Sequence, residues 1–169
     1  GRATALFYYR RGAPHDKLLF ELKYYGNFRL GVYLGQYMAR MLKDSGFFQG
    51  VQLIVPVPLH PDRLRKRGYN QSAMLAEGIS QITGIPVVTD VVVRQKFNET
   101  QTRKGRFERW TNVSDIFLCV APSELEGKHI LLVDDVMTTG ATIVSCADSM
   151  AGISGLRISV LTLAMVPRH

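Results

Sequence analysis

The run Ile130-Leu131-Leu132-Val133-Asp134-Asp135 restricts the fold more than any other part of this chain. Four consecutive branched apolar residues are the pattern of a strand covered on both faces, as in the parallel sheets of α/β proteins. Helices are then required on both sides of the sheet that contains it. The two carboxylates at its carboxyl end fall where open α/β sheets bind their ligands. Thr138, Thr139, Gly140, Ala141 and Thr142 follow, offering hydroxyls, closely spaced backbone N–H groups and a glycine that tolerates positive φ. The residues from there to about Ala151 read as a helix whose amino end faces a bound anion. Acids beside an anion cradle point to a phosphorylated sugar.

The rest of the chain fits the same class. With 169 residues, 46% hydrophobic and 21% charged, one domain is expected, burying roughly two-thirds of the unfolded surface. Leu6 to Tyr9 reads as a short strand. Leu30, Leu34, Tyr37, Met38, Met41 and Leu42 recur at helical spacing between two cap signals, Asn27 and Gly46. Gln52 to Val57 reads as a strand, and Asn70 caps a helix that carries Leu75, Ile79 and Ile82 and stops at Gly84. Val87 to Val93, Ile116 to Val120, Ile130 to Asp134 and Leu156 to Ala164 supply further strands, giving a mostly parallel central sheet between helix layers. Residues from about 1 to 46 are expected to form a small N-terminal hood and helix region, and those from about 51 to 169 the core.

A second stretch bears on ligands. Val55-Pro56-Val57-Pro58-Leu59-His60-Pro61 takes a buried strand into a proline-stiffened turn, and Arg63, Arg65, Lys66 and Arg67 follow at once. Four cations at a second strand end suit an anion such as pyrophosphate.

The acidic strand with its Thr-Thr-Gly-Ala-Thr loop resembles the 5-phosphoribosyl-1-pyrophosphate (PRPP) motif of type I phosphoribosyltransferases. By that resemblance Asp134 and Asp135 serve the ribose hydroxyls, directly or through water and Mg²⁺, and Thr138 to Thr142 hold the 5-phosphate. Pro58, Leu59, His60, Arg63, Arg65, Lys66 and Arg67 take the pyrophosphate side. The run Val-Pro-Val-Pro-Leu-His, then Arg-x-Arg-Gly-Tyr-Asn-Gln with Leu75 following, is similar to the signature of the ComF family, phosphoribosyltransferase-like proteins associated with DNA uptake and natural competence. Lys23 with Gly26, and Arg94, Thr100, Gln101, Arg109, Asn112 and Phe117, extend the likeness over nearly the whole chain. The fold implied is the type I phosphoribosyltransferase three-layer α/β fold, and the activity implied is Mg²⁺-dependent phosphoribosyl transfer. Many ComF-like proteins carry an amino-terminal four-cysteine zinc element. The two cysteines here, Cys119 and Cys146, cannot form it. Gly1 reads as a processed or engineered start.

The segment from Arg94 to Trp110 supports a rival reading. Arg94, Gln101, Arg103, Lys104, Arg106 and Arg109 alternate with Phe97, Phe107 and Trp110, the mixture that a flexible lid or a single-stranded nucleic-acid groove would use. The net charge of +7 and pI near 9.6 favour polyanions in either case. The alternative to catalysis is thus a competence protein that binds single-stranded DNA or senses a nucleotide with the same phosphate sites. Expected partners are PRPP or a related ribose phosphate, single-stranded DNA, the DNA-uptake machinery and a second copy in a homodimer. Cysteine usage fits a reducing cytoplasm, and no apolar stretch reaches the ~20 residues of a membrane span. His15, His60, His129 and His169 share no metal-ligand spacing, and neither a nucleophile elbow nor a P-loop appears.

Overall fold

The computed structural model describes residues 1–8, 21–22, 27–96 and 115–166. Its central sheet has four strands in the order β1 (Ala3–Tyr8), β6 (Arg157–Met165), β5 (His129–Met137), β2 (Leu53–Pro56), and every pairing is parallel. β5 is the strand expected from its apolar run, buried from His129 to Asp135. Alternate residues face opposite helix layers. Leu131 and Val133, with Leu161 and Leu163 of β6, pack with Leu34 and Met38 of α1 (Phe28–Leu42) and Leu75 and Ile79 of α3 (Gln71–Thr83). On the other face Ile130 and Leu132 pack with Ile143, Cys146 and Met150, in and just beyond α4 (Ala141–Asp148). Val92 of β3 (Val92–Lys96) and Phe117 of β4 (Asp115–Cys119) close that face.

Caps define the long helices. The Asn27 side chain accepts a hydrogen bond from the Leu30 amide at 3.1 Å, and that of Asn70 accepts from the Ser72 amide at 3.0 Å. α1 runs into a short 3₁₀ turn, Lys43–Ser45, closed by Gly46, while Gly84 closes α3.

Several elements depart from the sequence expectation. The basic stretch, to which no element was assigned after the proline-stiffened turn, is a helix, α2 (Pro61–Arg67): His60 caps it, Pro61 occupies its first turn and Gly68 ends it. Val87 to Val93 is not one strand. Val87 makes a single parallel bridge to Ile54, the chain bends at Asp90 and Val91, and β3 then pairs antiparallel with β4 in a separate two-stranded ladder. β1 begins at Ala3, earlier than expected, because its edge pairs with β6 from Ala3 opposite Val160 onward. The described residues between 1 and 46 are thereby built into the sheet and the first helix layer.

α1 and α3 meet backbone to backbone. A Cβ on Gly35 would lie 2.1 Å from the Leu75 carbonyl oxygen, and one on Gly78 would lie 2.0 Å from that of Val32. Neither carbonyl can yield without moving a helix, so only glycine permits this crossing. Gly78→Ala is therefore expected to lower the unfolding free energy by about 3 kcal/mol. Gly152→Ala, where an added Cβ meets nothing within 4 Å, should stay within about 0.5 kcal/mol of the parent. Urea unfolding monitored by circular dichroism makes the comparison.

Candidate functional site

The pairings of β5 end at different places on its two sides. β2 stops with Pro56 opposite Val133, a last bond runs from the Val57 amide to the Val133 carbonyl at 2.9 Å, and Pro58 carries the chain away. On the other side β6 stays paired through Asp134 opposite Thr162 to Met137 opposite Met165. Asp134 and Asp135 thus lie within β5, held by β6, where the neighbour β2 has departed. Into that gap opens a cavity of about 220 Å³, lined by Val57, Pro58, Leu59, Arg63, Arg67, Asn70, Gln71, Ser72, Arg94, Asp134, Asp135, Val136 and Thr142.

Both carboxylates are buried, at 7% and 6% exposure, and burial of charge demands donors. The Ser72 hydroxyl donates to Asp134 Oδ1 at 2.9 Å, and the Asp135 amide donates to the same oxygen at 2.9 Å. The Val136 amide donates to Asp135 Oδ1 at 2.7 Å, and the Gln71 side-chain amide to Asp135 Oδ2 at 3.1 Å. The first residues of α3 therefore orient the acids of β5. The Asn70 side chain donates to the Val57 carbonyl at 3.0 Å, tying that helix start to the end of β2. Tyr69 fixes the same turn by donating to the Leu22 carbonyl; burial pushes its phenol up, which keeps it a donor.

The four cations of the basic stretch separate on α2. Arg63 and Arg67, one turn apart, line the cavity; Arg65 is exposed and pairs with Asp62, and Lys66 is exposed. His60 is buried and accepts from the Asp62 amide through Nδ1 at 3.1 Å, a capping contact outside the cavity lining. Pro58 and Leu59 form one wall. Arg94, grouped by sequence with a lid or nucleic-acid groove, stands on β3 in the cavity wall, its guanidinium 5.1 Å from the centre of the Phe117 ring. Gln101, Arg103, Lys104, Arg106 and Arg109 lie outside the described residues. In the loop after β5, Gly140 has φ of 82° and the Thr139 hydroxyl accepts from the Ala141 amide at 3.3 Å. Thr138, Thr139 and Ala141 are exposed and Thr142 reaches the cavity. Gln71 and Ser72 are the site residues that sequence reasoning assigned no role, although Gln71 closes the Arg-x-Arg-Gly-Tyr-Asn-Gln run and both are polar where α3 turns inward.

Three guanidiniums and two carboxylates on one cavity favour an anion that also carries hydroxyls. Two buried carboxylates are hard oxygen donors that suit Mg²⁺ shared with a ligand's own oxygens. The described residues hold no cluster of three or more ligating side chains that would cage a metal alone.

Residues 69–168, more than half of the chain, match the phosphoribosyl transferase domain family, and the chain belongs to it. Competence protein F of Haemophilus influenzae is 31% identical over 134 residues, covering 77% of this chain and 58% of that protein. Competence protein ComFC of Bacillus subtilis is 34% identical over 91 residues, covering 54% of this chain and 35% of that protein. The DNA utilization protein YhgH of Escherichia coli is 29% identical over 137 residues, covering 79% of this chain and 60% of that protein. The chain spans less than two-thirds of each of these relatives. They set it, within its class, among the ComF-type phosphoribosyltransferase-like proteins. Among solved structures, glutamine PRPP amidotransferase from B. subtilis, complexed with ADP and GMP, superposes with a TM-score of 0.56 at 16% identity, covering 85% of this chain and 30% of that one. A hypothetical protein from Neisseria gonorrhoeae with bound ppGpp gives 0.51 at 15% identity, covering 81% of this chain and 68% of that one. At these identities the likeness is one of fold. No helix among the described residues is long and apolar enough to cross a membrane.

Cys146 lies on the α4 side of the sheet, buried. Burial first, and then the Asp134 carboxylate, push its thiol up from 9.0 to about 12. Between those values the unfolded chain has released a proton that the folded chain keeps, so stability must fall as pH rises through this window. Urea unfolding from about pH 9 to about pH 12 is expected to show a decline that Cys146→Ala makes shallower, by up to about 1.4 kcal/mol per pH unit. An unchanged slope would contradict the burial argument.

Proposed function

We propose that the cavity binds PRPP with Mg²⁺ and that the protein transfers its phosphoribosyl group to an acceptor. The observation that carries this reading is the convergence of Asp134, Asp135, Arg63, Arg67, Arg94 and Thr142 on one cavity, within a chain of the phosphoribosyl transferase domain family. In the reaction, the bond from ribose C1 to the pyrophosphate oxygen breaks, its electron pair leaves with pyrophosphate, and the acceptor forms a new bond to C1. Arg63 and Arg67 stabilise the departing charge, as preorganised cations do best in a partly enclosed site. Asp134 and Asp135, fixed by Ser72 and Gln71, orient the ribose hydroxyls. The loop from Thr138 to Thr142 offers amides and hydroxyls to the 5-phosphate. Asp134 and Asp135 would hold Mg²⁺, directly or through water, and the ion would supply further neutralisation of pyrophosphate.

The experiment is thermal unfolding with PRPP and Mg²⁺. At ligand near 100 times Kd, binding adds about 2.7 kcal/mol, or roughly 5–10 °C for a domain of this size. Asp134→Asn/Asp135→Asn is expected to abolish the shift. Arg63→Ala should weaken inorganic pyrophosphate about tenfold or more, whereas Arg65→Ala, altering an exposed side chain outside the cavity lining, should leave it within about twofold. A parent protein whose melting temperature ignores PRPP sinks the reading.

A relative named for DNA utilization and an excess of cations over acids in the cavity wall favour a second reading. Here the same arginines take the phosphates of single-stranded DNA or of a nucleotide without turnover. Its expected outcome is oligonucleotide binding that falls steeply as salt rises and is displaced by PRPP. Binding indifferent to salt, or to PRPP, contradicts it.

A further inference from the structure

Gln71 is 6% exposed and lies in the cavity wall between opposite charges. Its Oε1 accepts from an Arg67 guanidinium N–H, and its Nε2 donates to Asp135 Oδ2 at 3.1 Å. A guanidinium has only donors and an ionised carboxylate only acceptors, so these partners fix which way the amide points. Few side chains could replace it. Glutamate would set a second carboxylate against Asp135, lysine would set an ammonium against Arg67, and a hydrocarbon would satisfy neither. A buried amide is costly unless both ends are bonded, and here both are. The spacing follows from the fold: Arg67 is the last residue of α2, Gly68 turns the chain, and Asn70 anchors the start of α3 to Val57. Arg67 and Gln71 thus stand four residues apart across a turn, with Asp135 beyond the amide.

We propose that Gln71 is a positioning residue that keeps Arg67 and Asp135 one carboxamide apart and so couples the pyrophosphate side of the cavity to its ribose side. Resting on the reading of this cavity as a ribose-phosphate site, it assigns the amide the task of stopping the guanidinium and carboxylate from closing on each other. A direct ion pair in a partly enclosed site would be strong enough to compete with a pyrophosphate anion for Arg67. With the amide between them, each charge is held toward the ligand rather than toward the other.

Calorimetric titration of inorganic pyrophosphate with Mg²⁺ into the parent, Gln71→Ala and Gln71→Glu tests this. Gln71→Ala removes the spacer and should keep a melting temperature near that of the parent, because Arg67 and Asp135 can then pair directly, yet lose about tenfold or more in pyrophosphate affinity. Gln71→Glu should lose at least as much near pH 8, and its deficit relative to the parent should narrow toward about pH 5 as the new carboxyl takes up a proton. Parent-like affinity in both variants overturns the inference alone. A loss that is uniform with pH and matched by a fall in melting temperature also overturns it, marking Gln71 as merely structural. A parent that binds no pyrophosphate overturns the inference and the functional reading together.

Discussion

Strand β5 keeps its hydrogen bonds to β6 through Met137 but loses those to β2 after Val133, and the cavity follows from this inequality. Pro56 and Pro58 bring it about, since a proline has no N–H to continue a ladder and holds φ near the value that turns the chain outward. Beyond that point β5 is a strand supported on one edge. Its side chains there need other partners, and the two acids find them in the first residues of α3. Had β2 continued, the space that receives Arg63, Arg67 and Arg94 would be closed by sheet.

What the sequence disclosed was governed by local patterns. The apolar run of β5 and the paired cap signals Asn27 with Gly46 and Asn70 with Gly84 each state a backbone preference within a few residues, and the elements stand there. The acidic pair and the threonine loop were legible as a site because their chemistry is contiguous. α2 went unread although its signals were present: Pro61 at the start and Gly68 at the end were overshadowed by the charge between them. Read at helical spacing, that charge divides into Arg63 and Arg67 on one side, with Arg65 and Lys66 elsewhere.

Other features were not in the sequence in any local sense. Val87 to Val93 is β-prone throughout, and nothing nearby states that its first part adds one bridge beside β2 while its last part leaves for β4; that is decided by which edges the fold has open. The bonds from Ser72 to Asp134 and from Gln71 to Asp135 span 62 and 64 residues. Arg94 reaches the site because β3 turns it over Phe117 and into the cavity wall.

The glycine contact between α1 and α3 acquires a meaning beyond packing once the two ends of α3 are considered together. Gly78 lies seven residues after Gln71 on the same helix, about 10 Å along its axis, so α3 is a stiff rod whose middle is pinned and whose tip carries the groups that aim both acids. A rod pinned in this way transmits rotation. A change that pries the helices apart at Gly35 and Gly78 strains the same rod whose tip Asn70 ties to β2 and whose first residues aim Asp134 and Asp135. The accuracy of the site is thus tied to a glycine contact outside the cavity lining.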